Sequence, residues 1–325
     1  MIPAGKDELT QLLQQCTQLL EQYRTGDTEA RSKLEQPLQQ ITHTLYYQAQ
    51  LHSQHLQLDQ ALELFTVVLD CFRTLGNRRA EGAVLNELGL VHHHLRQYTT
   101  GRDHFLQALQ IAREARDHRG EAFALNNLGL AYLKLGQHQE SLLHYLQALW
   151  ILQEIDDQHG LGNTFCNIGI LYHEWGKQED ALDTLKKALE ILQSCGDRGG
   201  EALALHYLGL AHQALRRYQE SLAYFEKAGE LLQDLGDREG HGIELHSQAE
   251  VLHELKQYRE ALTRYRQALT LLTERADCLV GMGATHEALG DTEEAIACYH
   301  RALVADPGNK QASEGLKRLQ GTSPN

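Results

Sequence analysis

Between Gly120 and Leu152 the apolar side chains recur at helical spacing in two blocks. Leu125, Leu128, Tyr132 and Leu135 stand at offsets 0, 3, 7 and 10, and Leu142, Tyr145, Leu146, Leu149 and Leu152 stand at 0, 3, 4, 7 and 10. Each set falls on one face of an α-helix, and the strict alternation of a strand is missing from both. Between them lie only Gly136, Gln137, His138 and Gln139. So short a connection forces the two predicted helices to run antiparallel.

The same block is copied along the chain. Gly89, Gly129, Gly169 and Gly209 follow one another at steps of 40, Ala49 and Ala249 extend the series at either end, and a final step of 34 leads to Gly283. Self-similarity at such a period predicts a solenoid, in which each unit buries its apolar face only against its neighbours. Gly129 and Ala148 are predicted to mark the crossing of the two helices, because small residues allow close approach between helices that carry Leu and Tyr elsewhere. Only four prolines occur, at Pro3, Pro37, Pro307 and Pro324, so nothing interrupts helices between residues 38 and 306.

Seven repeats are predicted, over residues 36–75, 76–115, 116–155, 156–195, 196–235, 236–274 and 275–307. The joints Gly76-Asn77, Gly196-Asp197 and Gly236-Asp237 place a helix-ending glycine before a capping residue, and Arg116-Asp117 and Asp156-Asp157 keep the cap without the glycine. Ahead of the repeats, residues 1–35 form a predicted helical cap. Leu9, Leu12, Leu13, Cys16, Leu19, Leu20 and Tyr23 share one face of its first helix, and a turn at Gly26-Asp27 or Thr28 leads to a short second helix. Pro37 is expected to open the first helix of repeat one. After the repeats, residues 308–319 predict a closing helix with Ala312, Leu316 and Leu319 on its apolar face, and residues 320–325 a disordered tail.

On Leu125, Leu128, Gly129, Tyr132, Gly136, Tyr145 and Ala148 the unit resembles a tetratricopeptide repeat. The last unit, with Gly283, Gly290, Ala295, Tyr299, Ala302 and Asp306-Pro307, is similar to the usual 34-residue form. The 40-residue units, with Gly196-Asp197-Arg198 and Gly236-Asp237-Arg238, resemble the long-helix variant of Leu-Gly-Asn-repeat spindle adaptors and kinesin light chains. The resemblance runs from about residue 36 to 313. It implies an all-α fold, a right-handed solenoid of antiparallel helix pairs, that binds protein or peptide partners on a concave inner face.

Charge changes the list of partners. Lys and Arg number 30 against 44 Asp and Glu, a net charge of −14, which disfavours nucleic acid; no basic stripe with interleaved aromatics offsets it. No run approaches 18 apolar residues and the first residues carry no signal core, so no membrane insertion is expected and the cytoplasm is the default location. Cys16, Cys71, Cys166, Cys195, Cys278 and Cys298 form no C-x-x-C pair and are expected to be small buried residues in a reducing compartment.

Catalytic motifs do not close. His173-Glu174, His253-Glu254 and His286-Glu287 each begin H-E-x-x-H, but the fifth position holds Lys177, Gln257 and Gly290. Gly281-Met282-Gly283 begins a dinucleotide loop that ends in His286 inside a predicted helix. His92-His93-His94 cannot all face one metal, because consecutive helical residues splay about 100° apart. No enzyme, cofactor or metal is therefore expected.

Candidate binding residues are those the repeat core does not need. The position after each small residue holds Leu90, Leu130, Ile170 and Leu210, then Glu250 and Ala284. Either each aliphatic packs sideways on the next first helix, or the row forms an apolar trough for a partner segment. The long-helix variant carries a row of asparagines, two before the small residue, that grips a peptide backbone. Asn127 and Asn167 match it; Tyr47, Glu87, Tyr207 and Ser247 depart from it, and Asn86 and Asn126 stand one residue earlier. His93, His173 and His253, four after the small residue, are expected to line the same face with Leu133 and Gln213. The favoured reading is an adaptor that holds a partner segment along repeats two to five; the other is a structural protein that forms homo-oligomers through its repeat ends.

Overall fold

The computed structural model describes residues 5–321, which contain sixteen helices and no strand. The chain divides into two compact units, residues 1–157 and 158–325. The first holds α1 (Lys6–Thr25), α2 (Thr28–Gln54), α3 (Leu58–Thr74), α4 (Arg78–His94), α5 (Tyr98–Glu114), α6 (His118–Lys134) and α7 (His138–Glu154). The second holds α8 (Gln158–Glu174), α9 (Gln178–Cys195), α10 (Arg198–Ala214), α11 (Tyr218–Leu235), α12 (Arg238–Glu254), α13 (Tyr258–Leu272), α14 (Ala276–Leu289), α15 (Thr292–Ala305) and α16 (Lys310–Gly321). Within each unit, consecutive helices pack pairwise and each second helix also packs on the first helix of the next pair, as in an all-α solenoid.

A single large side chain fills the middle of every pair. Phe65, Phe105, Tyr145, Phe225, Tyr265 and Tyr299 occupy one position, sixteen residues after the small residue, and all are buried. The small residue makes room for that ring: a Cβ built on Gly129 would lie 2.5 Å from Tyr145 Cε1, and one on Gly209 would lie 2.6 Å from Phe225 Cε1. The close partner of Gly129 is therefore an aromatic face, while Ala148, predicted to share the crossing with it, is buried a turn further along α7. Burying each ring stabilises the pair by about 1.5–3 kcal/mol relative to leaving it in water. Ser141 and Ser221 add a tie at the crossing, each donating its hydroxyl to the carbonyl of Gly129 or Gly209 at 2.7 and 2.8 Å.

The ends of the helices follow one rule. A residue with positive φ closes nearly every helix: Leu56, Gly76, Arg96, Arg116, Gly136, Asp156, Gly176, Gly196, Arg216, Gly236 and Lys256 recur every 20 residues. The next amide turns back on the helix, as Gln97 N–H does to His92 O at 2.8 Å and Asp197 N–H to Leu192 O at 3.0 Å, which satisfies carbonyls the helix leaves open. At the joints the following side chain caps the next helix: Asn77, Asp117, Asp197 and Asp237 accept from the amides of Ala80, Gly120, Gly200 and Gly240.

Four expectations change. Pro37 does not open a helix; it lies inside α2, which runs unbroken across the predicted boundary at residue 35. The buried stripe Leu38, Thr42, Leu45 and Ala49, packed between α1 and α3, outweighs the one hydrogen bond and local clash a proline costs a helix. Residues 320 and 321 belong to α16, and the rest of the predicted tail, 322–325, lies outside the described residues. Cys195 is exposed, because it sits in the last turn of α9 beside the joint. Finally, Cys16 and Cys71, 55 residues apart, place their Sγ atoms 3.4 Å from each other where α1 covers α3.

Candidate functional site

The predicted binding residues all lie on first helices of the pairs. In the first unit α4 carries Asn86, Leu90 and His93, and α6 carries Asn126, Asn127 and Leu130. In the second, α8 carries Asn167, Ile170 and His173, and α10 carries Leu210. The four aliphatics are each half-buried, so neither of the two readings left open by the sequence describes them fully. Ile170 shows why: it packs against the core that Cys166, Ala204 and Leu208 build between α8 and α10, and keeps part of its surface free.

The asparagines split by position. Asn86 and Asn127 are only 4% and 6% exposed, and each retains one side-chain atom, Oδ1 and Nδ2 respectively, without a partner. Asn126 and Asn167 are half-buried. Asn86 lines a cavity of about 580 Å3 between the N-terminal halves of α4 and α6, whose floor is Ala108, Ile111 and Ala112 of α5. Phe123 closes one side with 49% of its surface exposed, and Tyr46 and Glu87 close another, joined by a 3.4 Å hydrogen bond from the phenol.

The histidines do not form one row. His93 stands against Tyr98 at 5.2 Å with its Nε2 unpartnered, and burial, then the neighbouring His94, holds its pKa below the usual value. His173 is hydrogen-bonded to Gln178 Oε1 at 2.9 Å, and His253 to Thr285 Oγ1 at 2.9 Å. Leu133, expected between them, is buried in the core. In the triplet, His92 pairs with Gln97 and stacks on His104 at 5.1 Å, while His94 is exposed, so the three rings point to different surroundings. Among the described residues no group of three or more His, Cys, Asp and Glu side chains could hold a metal ion.

Two features of this face escape the spacing argument. The position six before the small residue holds Ala83, Phe123, Asn163, Leu203 and Ile243; Phe123 and Leu203 are exposed and Ile243 half-buried. The signal was an apolar residue where a solvated helix surface needs none. The second is a cavity of about 630 Å3 in the second unit, lined by Glu250, Glu254, Asp277 and Glu314 together with His246 and Tyr265. Desolvation, reinforced by Asp277 and Glu254, raises the Glu250 carboxyl above the usual carboxylate value, and burial raises the Tyr265 phenol. Gln213 and His253, both predicted for the inner face, line it as well. Apart from this face, α7 exposes Leu143, Leu146 and Trp150 along one side, where α9 carries Asp183, Lys186 and Glu190.

Helical hairpins repeated at fixed stride, each presenting the outer surface of its first helix and no assembled reactive centre, define a helical-repeat protein of the kind built to bind other chains. Family models described as tetratricopeptide repeat match residues 81–154 and 200–274, residues 252–319 and residues 163–192. The chain belongs to the tetratricopeptide-repeat family. A search of curated proteins finds no match. Among solved structures it is similar to the tetratricopeptide sensor-bearing signal-transduction ATPase PH0952 of Pyrococcus horikoshii, with TM-score 0.67 and 15% identity over 98% of this chain and 50% of that one. It is also similar to the apo form of RapI, with TM-score 0.60 and 15% identity over 85% and 99% of the two chains. A third is pilF of Pseudomonas aeruginosa, with TM-score 0.58 and 17% identity over 76% and 100%. At these identities the likeness is one of fold. No helix among the described residues is long and apolar enough to cross a membrane.

Proposed function

We propose that the chain is a non-catalytic adaptor whose first-helix faces hold a segment of a partner protein. The observation that carries this reading is the cavity beside Asn86. A buried amide oxygen there has no partner, and the adjoining Phe123 ring keeps about half its surface in water. An unpaired acceptor away from water costs roughly 1–3 kcal/mol, and a bound peptide amide donating to it removes that cost. The half-buried Leu90, Leu130, Ile170 and Leu210 supply apolar contact on the same helices, and Asn126, Asn127 and Asn167 supply further amides for a partner backbone.

The test is a displayed library of random peptides panned against the intact chain and against two variants, Leu130→Glu and Ile170→Glu. Enriched peptides are expected to lose at least about tenfold in affinity on both variants, since a charge replaces a contact worth about 1.4 kcal/mol or more. Undiminished binding by variants that melt normally would remove these faces as the docking surface.

A further inference from the structure

A second cavity occupies in the second unit the place that the Asn86 cavity occupies in the first. Gly199, Ala202, Leu203, His206 and Tyr207 stand 120 residues after Arg79, Gly82, Ala83, Asn86 and Glu87, and Leu232, Asp237, Gly240 and Ile243 likewise follow Ala112, Asp117, Gly120 and Phe123. Its volume is about 510 Å3, and its walls are the N-terminal halves of α10 and α12 with the last turn of α11. One lining residue breaks the repeat pattern. Glu244 takes the position, five before the small residue, that Val84, Ala124, Thr164 and Ala204 fill in the preceding repeats, where every side chain is buried.

Glu244 is itself only 3% exposed. Its Oε1 is bonded to His206 Nδ1 at 2.7 Å, and its Oε2 has no partner at all. A carboxylate at a core position needs donors on both oxygens, because burial strips the water that would otherwise serve them. Here one imidazole serves one oxygen. The remaining walls are apolar on one side, with Leu203, Leu232, Leu235 and Ile243, and carry a second carboxylate, Asp237, on the other; no Lys or Arg lines the cavity. The space therefore combines an anionic end and a greasy channel, the shape of a site for a long cationic side chain. Arginine fits it best, since its methylene stem lies along aliphatic surface and its planar fork donates to a carboxylate with no need to lose a proton.

We infer that this cavity is a socket for an arginine side chain of a bound partner segment, with the guanidinium donating to Glu244 Oε2 and the stem lying along Leu203, Leu235 and Ile243. The inference rests on the reading of the first-helix faces as docking surfaces and adds a chemical requirement on the partner. It also explains Glu244: without a cation that side chain would be better replaced by the alanine its neighbours carry.

The socket is tested apart from any partner. The full chain is titrated with N-acetyl-arginine methylamide and with the citrulline counterpart, equal in shape and uncharged, while the His206 ring resonance is followed by NMR, assigned by its loss in His206→Gln. A saturable shift with the arginine compound is expected, with the citrulline compound at least about tenfold weaker. Glu244→Gln is expected to abolish the difference. If that variant unfolds, Glu244→Ala, which restores the neighbouring repeats' residue, takes its place. No shift with the arginine compound, equal affinity for both compounds, or an unchanged response in the Glu244 variant overturns the socket. Panning that still depends on Leu130 and Ile170 when the titration fails would leave the docking surface standing and dispose of the socket alone.

Discussion

Gly129→Ala adds one methyl group to the middle of α6, and the outcome follows from what that methyl meets. The new Cβ would lie 2.5, 2.6 and 2.7 Å from Cε1, Cδ1 and Cζ of Tyr145, a ring that is fully buried and cannot swing aside. Alanine is the better helix former by about 1 kcal/mol. Forcing an extra carbon into a packed interior costs about 1–3 kcal/mol, and a rigid ring at this distance belongs at the upper end. The net expected loss is thus about 1–2 kcal/mol. Gly283→Ala supplies the internal comparison, because its Cβ would lie 2.9, 3.0 and 3.2 Å from the Tyr299 ring, and the two terms then nearly cancel. Urea unfolding followed by circular dichroism is the assay. A second variant, Gly129→Ala with Tyr145→Leu, should lose less than the sum of the two single changes, since the leucine gives way where the ring does not. A Gly129→Ala chain as stable as the parent, or a Gly283→Ala chain damaged equally, would refute the claim that the small residue exists to seat the ring.

Two further outcomes can be measured without a partner. His93, His104, His144, His212 and His246 all have pKa values lowered chiefly by burial, so the unfolded chain takes up protons on these groups before the folded chain does. Stability should be level above the unfolded value of about 6.5 and fall as pH drops below it toward the lowered folded values; a midpoint that rises on acidification from pH 7 to 5.5 contradicts this. At the helix ends, Gly136→Ala has open space around it but φ of +74°, so the expected loss of about 1 kcal/mol is conformational. Arg96→Gly, at φ of +59° in the equivalent turn, should be neutral or mildly stabilising, and thermal unfolding of the two variants side by side checks the pair.

The repeat boundaries, antiparallel pairing, caps and closing helix could be read from the chain because each is set by local spacing. Asn77, Asp117, Asp197 and Asp237 announce helix starts whatever lies around them. Pro37 misleads for the converse reason: its preference for a helix start is overruled by packing from α1 and α3, which no local window contains. The approach of Cys16 to Cys71 depends on how the cap lies over the first pair and has no sequence signature. The candidate site was legible in part. Asn86 and Asn127 proved to hold unpartnered atoms, but Phe123, Leu203 and Glu244 were passed over because attention fixed on the residues around the small position, and not on the earlier turn of the same helix. A glutamate at a position otherwise given to Ala, Val or Thr is visible in the sequence once the repeats are aligned.

The left-handed residue that recurs every twenty positions has a consequence for how such a chain can change in length. Each rod stops in the same tight fold-back with no spare residue on either side, so one added or deleted amino acid would rotate everything downstream by a wrong angle and expose its buried stripe. Growth and shrinkage are therefore permitted only in whole strides, and a duplicated pair arrives already fitted to its neighbours. The molecule's length behaves as an integer.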